Sequence, residues 1–300
     1  MQTTGKNDLI KTGPFGMVRL RARLGLACGN RFALTPRPAA PRSITPPVSP
    51  LPSMAKSKLL PVVVVTGAGS GVGRATVLKF AAEGWRVVLV GRRPDALAAT
   101  VALAPKALRG RLRTVPCDLG DPAGIAALAA GVKADFGRID VLVNAAGQNI
   151  PKRSLAELSP ADYTAVMDAN VTGVLQLVQA FLPTMRAAGR GTIVNVGSEA
   201  GKQASAKAGA AYVVSKFGLT GLTQTINAEE RPHGLRACCV FPGDIDTDLL
   251  NKRPVPPPPE ARARMMQPED IAACVWFAAT LPDRATVEEI LVRPSRPWTG

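Results

Sequence analysis

The sequence is poor in the residues that build metal sites: it contains one histidine, His233, and five cysteines in 300 residues. No two cysteines form a CxxC pair, and a loop-like Pro-His-Gly context surrounds His233. These are too few ligands for a catalytic zinc, so we expect no metal site. The odd number of cysteines favours a reducing compartment and a cytoplasmic location. We expect them to act as small buried apolar side chains: Cys28, Cys117, Cys238, Cys239 and Cys274.

Long hydrophobic runs are also missing. The richest run, Leu59 to Val65, ends in glycines, well short of the roughly 18 to 20 residues that cross a bilayer. The sequence therefore predicts no membrane partner. Its 46% hydrophobic content is enough for an ordinary globular core.

Acidic residues are scarce at one end of the chain. Residues 1–58 hold ten Lys or Arg and a single acid, Asp8, so they carry most of the net charge of +15. The other 242 residues hold 27 basic and 21 acidic residues. Because no aromatic-interleaved basic face or recognition motif accompanies the charge, we expect no nucleic-acid partner.

The same residues 1–58 show no sustained hydrophobic period and include seven prolines between Pro36 and Pro52. This composition predicts a disordered basic extension. Two origins stay open. The extension is either a transit peptide for a mitochondrion or plastid, being basic and acid-poor, or an upstream-start artefact, since the residues after Met54 lead directly into the first strand.

From Leu59 onward, short β-branched runs alternate with alanine-rich segments of helical length. This alternation predicts an α/β fold of one domain, residues 59–300: a doubly wound (Rossmann) parallel sheet of seven strands with helices on both faces. The expected strands are Pro61–Thr66, Arg86–Val90, Arg111–Cys117, Asp140–Asn144, Gly191–Val196, Leu235–Phe241 and Glu289–Arg293.

A glycine-rich loop follows the first strand, running from Thr66 to Arg74 as TGAGSGVGR and leading into a helix-compatible stretch. Glycines let the backbone approach a pyrophosphate, and the helix N-terminus attracts its charge. The order of strand, glycines and helix therefore predicts a dinucleotide site.

The second strand ends in Val90-Gly91-Arg92-Arg93. A site that prefers NAD usually presents an acid here to the adenosine ribose, and two arginines replace it. Guanidinium groups suit a 2′-phosphate, so the sequence favours NADP over NAD, with one arginine expected only to solvate the loop.

Tyr212 and Lys216 are four residues apart in a stretch that looks helical from Ala208 to Glu229, so their side chains share one face. A phenol is a poor base at neutral pH because its reference pKa is about 10. A nearby ammonium stabilises the phenolate, which would let Tyr212 exchange protons with a carbonyl or alcohol.

Taken together with Asn144-Ala145-Ala146-Gly147, Asn170-Val171-Thr172-Gly173, Ser198 and Pro242-Gly243, these motifs resemble the short-chain dehydrogenase/reductase family in its shorter, single-domain form. The resemblance runs from about Leu59 to Ser295. It implies an NADP-dependent oxidoreductase that moves a hydride between the nicotinamide and a small-molecule carbonyl or alcohol. A non-catalytic NADP(H)-binding sensor or scaffold is the alternative, although neither Tyr212 nor Lys216 is lost.

The resemblance also implies residue roles. Tyr212 would be the acid/base group, Ser198 would orient the substrate oxygen, and Lys216 would also hold the nicotinamide ribose. Asn170, in a long helix beginning near Pro160, would anchor a water that relays protons from Lys216. The implied cofactor site comprises Gly67, Ser70, Gly71, Val72, Gly73, Arg92, Arg93, Asp118, Leu119, Asn144, Gly147, Tyr212, Lys216, Pro242, Gly243 and Thr247.

Two positions depart from the family pattern. Ala145 stands where a second Asn is common, and Arg293-Pro294-Ser295 stands where a glycine pair is common. The second departure implies a different C-terminal packing, which bears on the family's usual tetramer; the expectation is a homo-oligomer, dimer or tetramer. The substrate loop is expected between Asp244 and Gln267, and its apolar residues do not name a substrate.

Overall fold

The computed structural model describes residues 60–296. The predictions made for residues 1–58, and for Cys28 within them, lie outside this range. The described residues contain seven β-strands: β1 (Val62–Thr66), β2 (Arg86–Gly91), β3 (Leu112–Pro116), β4 (Val141–Asn144), β5 (Gly191–Val196), β6 (Leu235–Pro242) and β7 (Glu289–Val292).

Eight α-helices connect or follow these strands: α1 (Gly71–Ala82), α2 (Pro94–Leu103), α3 (Pro122–Phe136), α4 (Pro160–Met167), α5 (Gly173–Ala188), α6 (Ala210–Glu230), α7 (Pro259–Arg262) and α8 (Pro268–Thr280). Short 3-10 helices complete several connections. The strands pair in the order β3-β2-β1-β4-β5-β6-β7, and every pair is parallel.

The sheet is buried on both faces because its central strands are nearly continuous apolar runs. In β1, Val62 and Val64 face a core formed with α3, α5 and α6, while Val63 and Val65 face a second core with α1 and α8. Side chains alternate between faces along a strand, so a Val-rich run serves both cores at once. This confirms the predicted doubly wound fold, and each predicted strand lies within about two residues of an observed one.

One predicted helix is interrupted. The long helix expected from near Pro160 consists of α4, a π-helical turn at Asp168–Thr172, and α5. The whole run Pro160–Ala188 is long enough, and with a mean hydropathy of 1.3 apolar enough, to cross a membrane. The sequence analysis did not predict this, because polar residues interrupt the run. Its apolar face, including Leu177 and Phe181, is instead buried in the first core, so it packs as a core helix.

The described cysteines pack as apolar side chains. Cys117, Cys238 and Cys239 are buried, and Cys274 is half-buried. Burial raises the pKa of Cys238 to about 12 and that of Cys239 to about 11, so both stay protonated. Within residues 60–296, no cluster of three His, Cys, Asp or Glu could hold a metal.

Arg236, near the start of β6, holds the end of α8. Its side chain is only 8% exposed, and its Nε donates to Thr192 Oγ1 at 2.9 Å. The remaining guanidinium nitrogens donate to carbonyl oxygens at and beyond the helix C-terminus: Ala279, Leu281, Pro282 and Ala285. Carbonyls at a helix end lack intrahelical partners, and Arg236 supplies donors to four of them through one buried and three part-buried hydrogen bonds.

We predict that Arg236→Met lowers the free energy of unfolding by roughly 3 kcal/mol, because it removes two buried and three part-buried hydrogen bonds. Urea denaturation monitored by circular dichroism measures this. Arg284→Met is the matched control: Arg284 is exposed, and its replacement should change stability by no more than about 0.5 kcal/mol. Equal effects of the two substitutions would show that the carbonyls find other donors.

Candidate active site

A crevice lies where the strand order reverses, between β1 and β4. In open parallel sheets, ligands bind at such a point, outside the carboxyl ends of the strands. Two cavities lie there, with about 1390 and 930 Å³ of space between protein atoms when their open mouths are included. Both are lined by Gly67, Ala146 and Gly147, so they adjoin along the same strand ends.

The glycine-rich loop forms the floor of the larger cavity, and its backbone leaves no room for side chains. Gly67 has a φ of +66°, and a Cβ there would lie 2.9 Å from the backbone of Ala145 and Ala146. A Cβ at Gly73 would overlap the Gly67 carbonyl. The loop therefore needs glycine at both positions to fold back onto α1 and to contact the loop after β4.

Polar side chains fix this loop. Thr66 Oγ1 accepts hydrogen bonds from the amides of Ala145 and Ala146, each at 3.1 Å. Arg74 Nε donates to Thr100 Oγ1 at 3.3 Å, and Thr100 Oγ1 donates to Ala68 O at 2.9 Å. The backbone of the loop is thus held before any ligand arrives.

Tyr212 and Lys216 lie one turn apart near the N-terminus of α6. Lys216 Nζ is 5.4 Å from the centroid of the Tyr212 ring and donates to Val196 O at 3.0 Å. The Lys216 side chain is 4% exposed and forms no ion pair within residues 60–296. Its positive charge is therefore available to the phenol.

Ser198 lies two residues beyond β5, and its Oγ accepts from Ala200 N at 3.2 Å. Ser198, Tyr212 and Lys216 all line the larger cavity. Their placement follows from the parallel sheet, since the end of β5 and the start of α6 open onto the same edge.

Asn170 lies in the π-helical turn, a feature that often marks functional sites. Its side chain accepts from Gln148 N at 2.8 Å and donates to Gln148 O and to Ser215 Oγ, each at 3.0 Å. A Cβ at Gly147 would lie 3.5 Å from Asn170 Oδ1 and 3.7 Å from Lys216 Nζ. Asn170 and Lys216 therefore border the same glycine, although Asn170 itself lines neither cavity.

Most residues of the predicted cofactor set border the crevice. The larger cavity is lined by Gly67, Ser70, Gly71, Val72, Gly73, Gly147, Tyr212, Lys216, Pro242, Gly243 and Thr247. The smaller cavity is lined by Arg92, Asp118 and Leu119, and again by Gly67 and Gly147. Arg93 is exposed at the start of α2 and borders neither cavity, so of the two arginines only Arg92 lines the crevice.

The structure corrects the expectation for Asn144. This residue is buried, borders neither cavity and donates to Asn195 Oδ1 at 2.8 Å. Asn195 is its register partner in β5 and in turn donates to Thr223 Oγ1 at 2.8 Å. Strand alternation directs Asn144 towards this polar row between sheet and α6 rather than towards the crevice.

Sequence reasoning missed several charged residues that line the larger cavity: Arg153, Lys207, Asp244 and Arg253. None belongs to a motif with fixed spacing. They lie close together only because the three loops that carry them meet in the fold. The sole signal in the sequence was their position just after predicted strands or just before the predicted catalytic helix.

The C-terminal departure packs against the same cavity. Arg293 Nε pairs with Glu199 Oε2 at 3.1 Å, and a Cβ at Gly243 would lie 3.3 Å from Pro294 Cδ. Glu199 and Gly243 both line the larger cavity. The residues that replace the usual glycine pair therefore support one wall of it.

Comparisons with known proteins identify the family to which this chain belongs. Residues 61–255 match the family described as short chain dehydrogenase. The short-chain reductase protein NovJ of Streptomyces niveus is 34% identical over 73% of this chain and 86% of its own.

Solved structures give the same result. A metagenomic short-chain oxidoreductase in complex with NADP is 37% identical, with a TM-score of 0.67 over 79% of this chain and 98% of that one. A variant of actinorhodin polyketide ketoreductase with NADPH is 29% identical, with a TM-score of 0.70 over 78% and 96%.

We predict that Gly73→Ala lowers the free energy of unfolding by roughly 2 to 3 kcal/mol, because its Cβ must displace the Gly67 carbonyl. Gly221→Ala in α6 is the control, since a Cβ there meets nothing within 4 Å, and alanine in a helix is favoured by up to about 1 kcal/mol. Urea denaturation of both variants gives the comparison. A Gly73→Ala protein as stable as the parent would mean that the loop relaxes freely.

Proposed function

Because the chain belongs to the short-chain dehydrogenase/reductase family and is a nicotinamide-dependent oxidoreductase, we propose that it transfers a hydride between NADP(H) and a carbonyl or alcohol, with Tyr212 as acid/base group. The observation that carries this proposal is the buried ammonium of Lys216 beside the Tyr212 ring, at the edge of a glycine-floored crevice.

The residues present fit a dinucleotide. In the Gly67–Gly73 turn a Cβ at either glycine would clash with neighbouring backbone. The N-terminus of α1 follows this side-chain-free turn and has no acidic residue in its first turn. That arrangement suits a pyrophosphate. Asp118 and Leu119 would border the adenine, and Lys216 the nicotinamide ribose.

Arg92 supports NADP over NAD. It lines the smaller cavity beside Gly91 and Asp118, and it forms no ion pair in the described part of the chain. A guanidinium with no acid to neutralise it is suited to a 2′-phosphate. Arg93 is exposed away from the crevice and is assigned no contact.

Four side chains would manage the proton. When bound, the reduced nicotinamide supplies the hydride. The Tyr212 hydroxyl would deliver the proton to the substrate oxygen, and Ser198 would donate a hydrogen bond to that oxygen as negative charge builds on it. Lys216 would stabilise the phenolate that remains, and Asn170, which shares the border of Gly147 with it, would hold a water on the relay to solvent.

Apolar side chains on the outer helices support a homo-oligomer, dimer or tetramer. Leu175 on α5 and Val214 and Phe217 on α6 are exposed, and contiguous exposed apolar residues are typical of interfaces.

The proposed location is the cytoplasm.

The first test concerns cofactor choice. NADPH should bind at least about tenfold more tightly than NADH, or roughly 1.4 kcal/mol, and Arg92→Asp should move the preference towards NADH by repelling the 2′-phosphate. Fluorescence titration of both cofactors measures this. Arg93→Asp is the matched control and should have the smaller effect; equal affinities in the parent protein would rule out the assignment.

The second test concerns the proton. Tyr212→Phe should lower turnover by several orders of magnitude while NADPH affinity changes only a few-fold, because the hydroxyl moves a proton and does not grip the cofactor. Lys216→Ala should lower turnover and also weaken NADPH binding, since it removes the charge beside the phenol and a contact with the ribose. Single-turnover rates and NADPH titrations separate these effects. Near-normal turnover by Tyr212→Phe would place the acid elsewhere.

A further inference from the structure

One end of the larger cavity carries charges that hydride transfer does not use. Three loops form it: residues 145–159 after β4, residues 202–209 before α6, and residues 243–258 after β6. The charged side chains that they contribute to the lining are Arg153, Lys207, Asp244, Asp248 and Arg253.

Only Asp244 pairs with these cations, since Asp248 is exposed and takes part in none of the ion pairs of the described residues. Asp244 pairs with Lys207 Nζ at 2.8 Å and with Arg253 Nη2 at 2.6 Å. Although burial alone would raise it, hydrogen bonds from these two cations lower the pKa of Asp244. Asp244 is therefore ionised at neutral pH and already engaged twice.

Arg153 is left without an acid. Its side chain is 6% exposed and donates only to carbonyl oxygens: Ile150 at 2.7 Å, Lys252 at 2.6 Å and Lys207 at 3.4 Å. Burial and the nearby Arg253 cation lower the pKa of the guanidinium, while Tyr212 opposes them. An arginine stays charged in a protein, so one positive charge here has no negative partner among the described residues.

The guanidinium also has free donors. It carries five N–H groups in a fixed fork, and three of them make the bonds to Ile150, Lys207 and Lys252. One N–H on each terminal nitrogen remains. Two such groups form the arrangement that binds a carboxylate in a bidentate manner.

Arg153 is fixed beside the proposed acid/base helix. A Cβ at Gly209 would lie 2.6 Å from Arg153 Cβ, and Gly209 is the N-cap of α6, three residues before Tyr212. The first turn of α6 contains no acid. A group bound by Arg153 would thus be close to the group that exchanges protons with the substrate.

We propose that Arg153 binds a carboxylate of the substrate, and that the enzyme acts on small oxo acids and hydroxy acids. This rests on the proposed hydride transfer and specifies its substrate class. The lining at this end holds three cations and two carboxylates. The resulting net charge of +1 matches a monoanion, so a carboxylate fits better than a phosphate dianion.

The first experiment compares 2-oxo and 3-oxo acids with their methyl esters, following NADPH consumption. The acids should show at least about tenfold higher kcat/KM, because the ester leaves the buried charge unpaired. Arg153→Gln should bring the ratio of acid to ester towards one, and this ratio is compared because a general loss of turnover affects both substrates alike. Lys207→Gln is the control: its charge is already engaged by Asp244, so the ratio should persist. Equal use of acids and esters by the parent enzyme would overturn the proposal.

The second experiment does not depend on turnover. Binding of butyrate and butyramide to the enzyme–NADPH complex is measured by NADPH fluorescence. Butyrate should bind at least about tenfold more tightly, and Arg153→Gln should remove this difference. Equal binding in the parent, or tighter binding of propylphosphonate than of butyrate, would contradict a carboxylate site.

The two experiments separate this inference from the proposed function. Esters that are reduced as well as acids would refute the carboxylate site and leave hydride transfer intact. Selective butyrate binding without turnover of any carbonyl would support the site and refute the hydride transfer. If Arg153→Gln does not fold, the parent's acid-to-ester ratio and its butyrate preference decide.

Discussion

The close contact of two backbones at the crevice is the constraint on which the site depends. The turn after β1 doubles back so tightly that Gly67 and Gly73 meet without side chains, and the same turn touches the chain leaving β4 at Ala145 and Ala146. Thr66 joins the two segments through its hydroxyl. The junction fixes the segment after β4, which carries Gly147 and through it the border with Asn170 and Lys216.

The fold could be predicted from sequence because its signals are local. The Val-rich run of β1 and the alanine-rich helix after it can each be recognised from about ten consecutive residues. The alternation of such strands and helices along the chain predicts a parallel sheet. The π-helical turn at Asp168–Thr172 could not be predicted, since its residues suit an ordinary helix. The need for glycine at the following position is visible only in the fold: a Cβ at Gly173 would lie 2.7 Å from the carbonyl oxygen of Leu119.

The candidate site divides in the same way. Some site residues could be predicted because they belong to motifs with a fixed spacing. These are Gly67, Gly73, Tyr212 and Lys216. Asn144 belongs to such a motif too, yet its direction is set by strand register with Asn195, which a single sequence does not reveal. Arg153 was missed because its partners come from loops about fifty and a hundred residues further along the chain.

The packing of Arg293 and Pro294 against Glu199 and Gly243 has an evolutionary consequence. Arg293 and Pro294 contact two residues of the cavity wall, and they take no part in the junction of the two backbones or in proton transfer. Mutations in this tail can therefore reshape the cavity while the chemistry is conserved. Relatives that share the same catalytic residues can therefore differ in the substrate they accept through changes at these two positions. Insertions and deletions near the end of a domain disturb its core least.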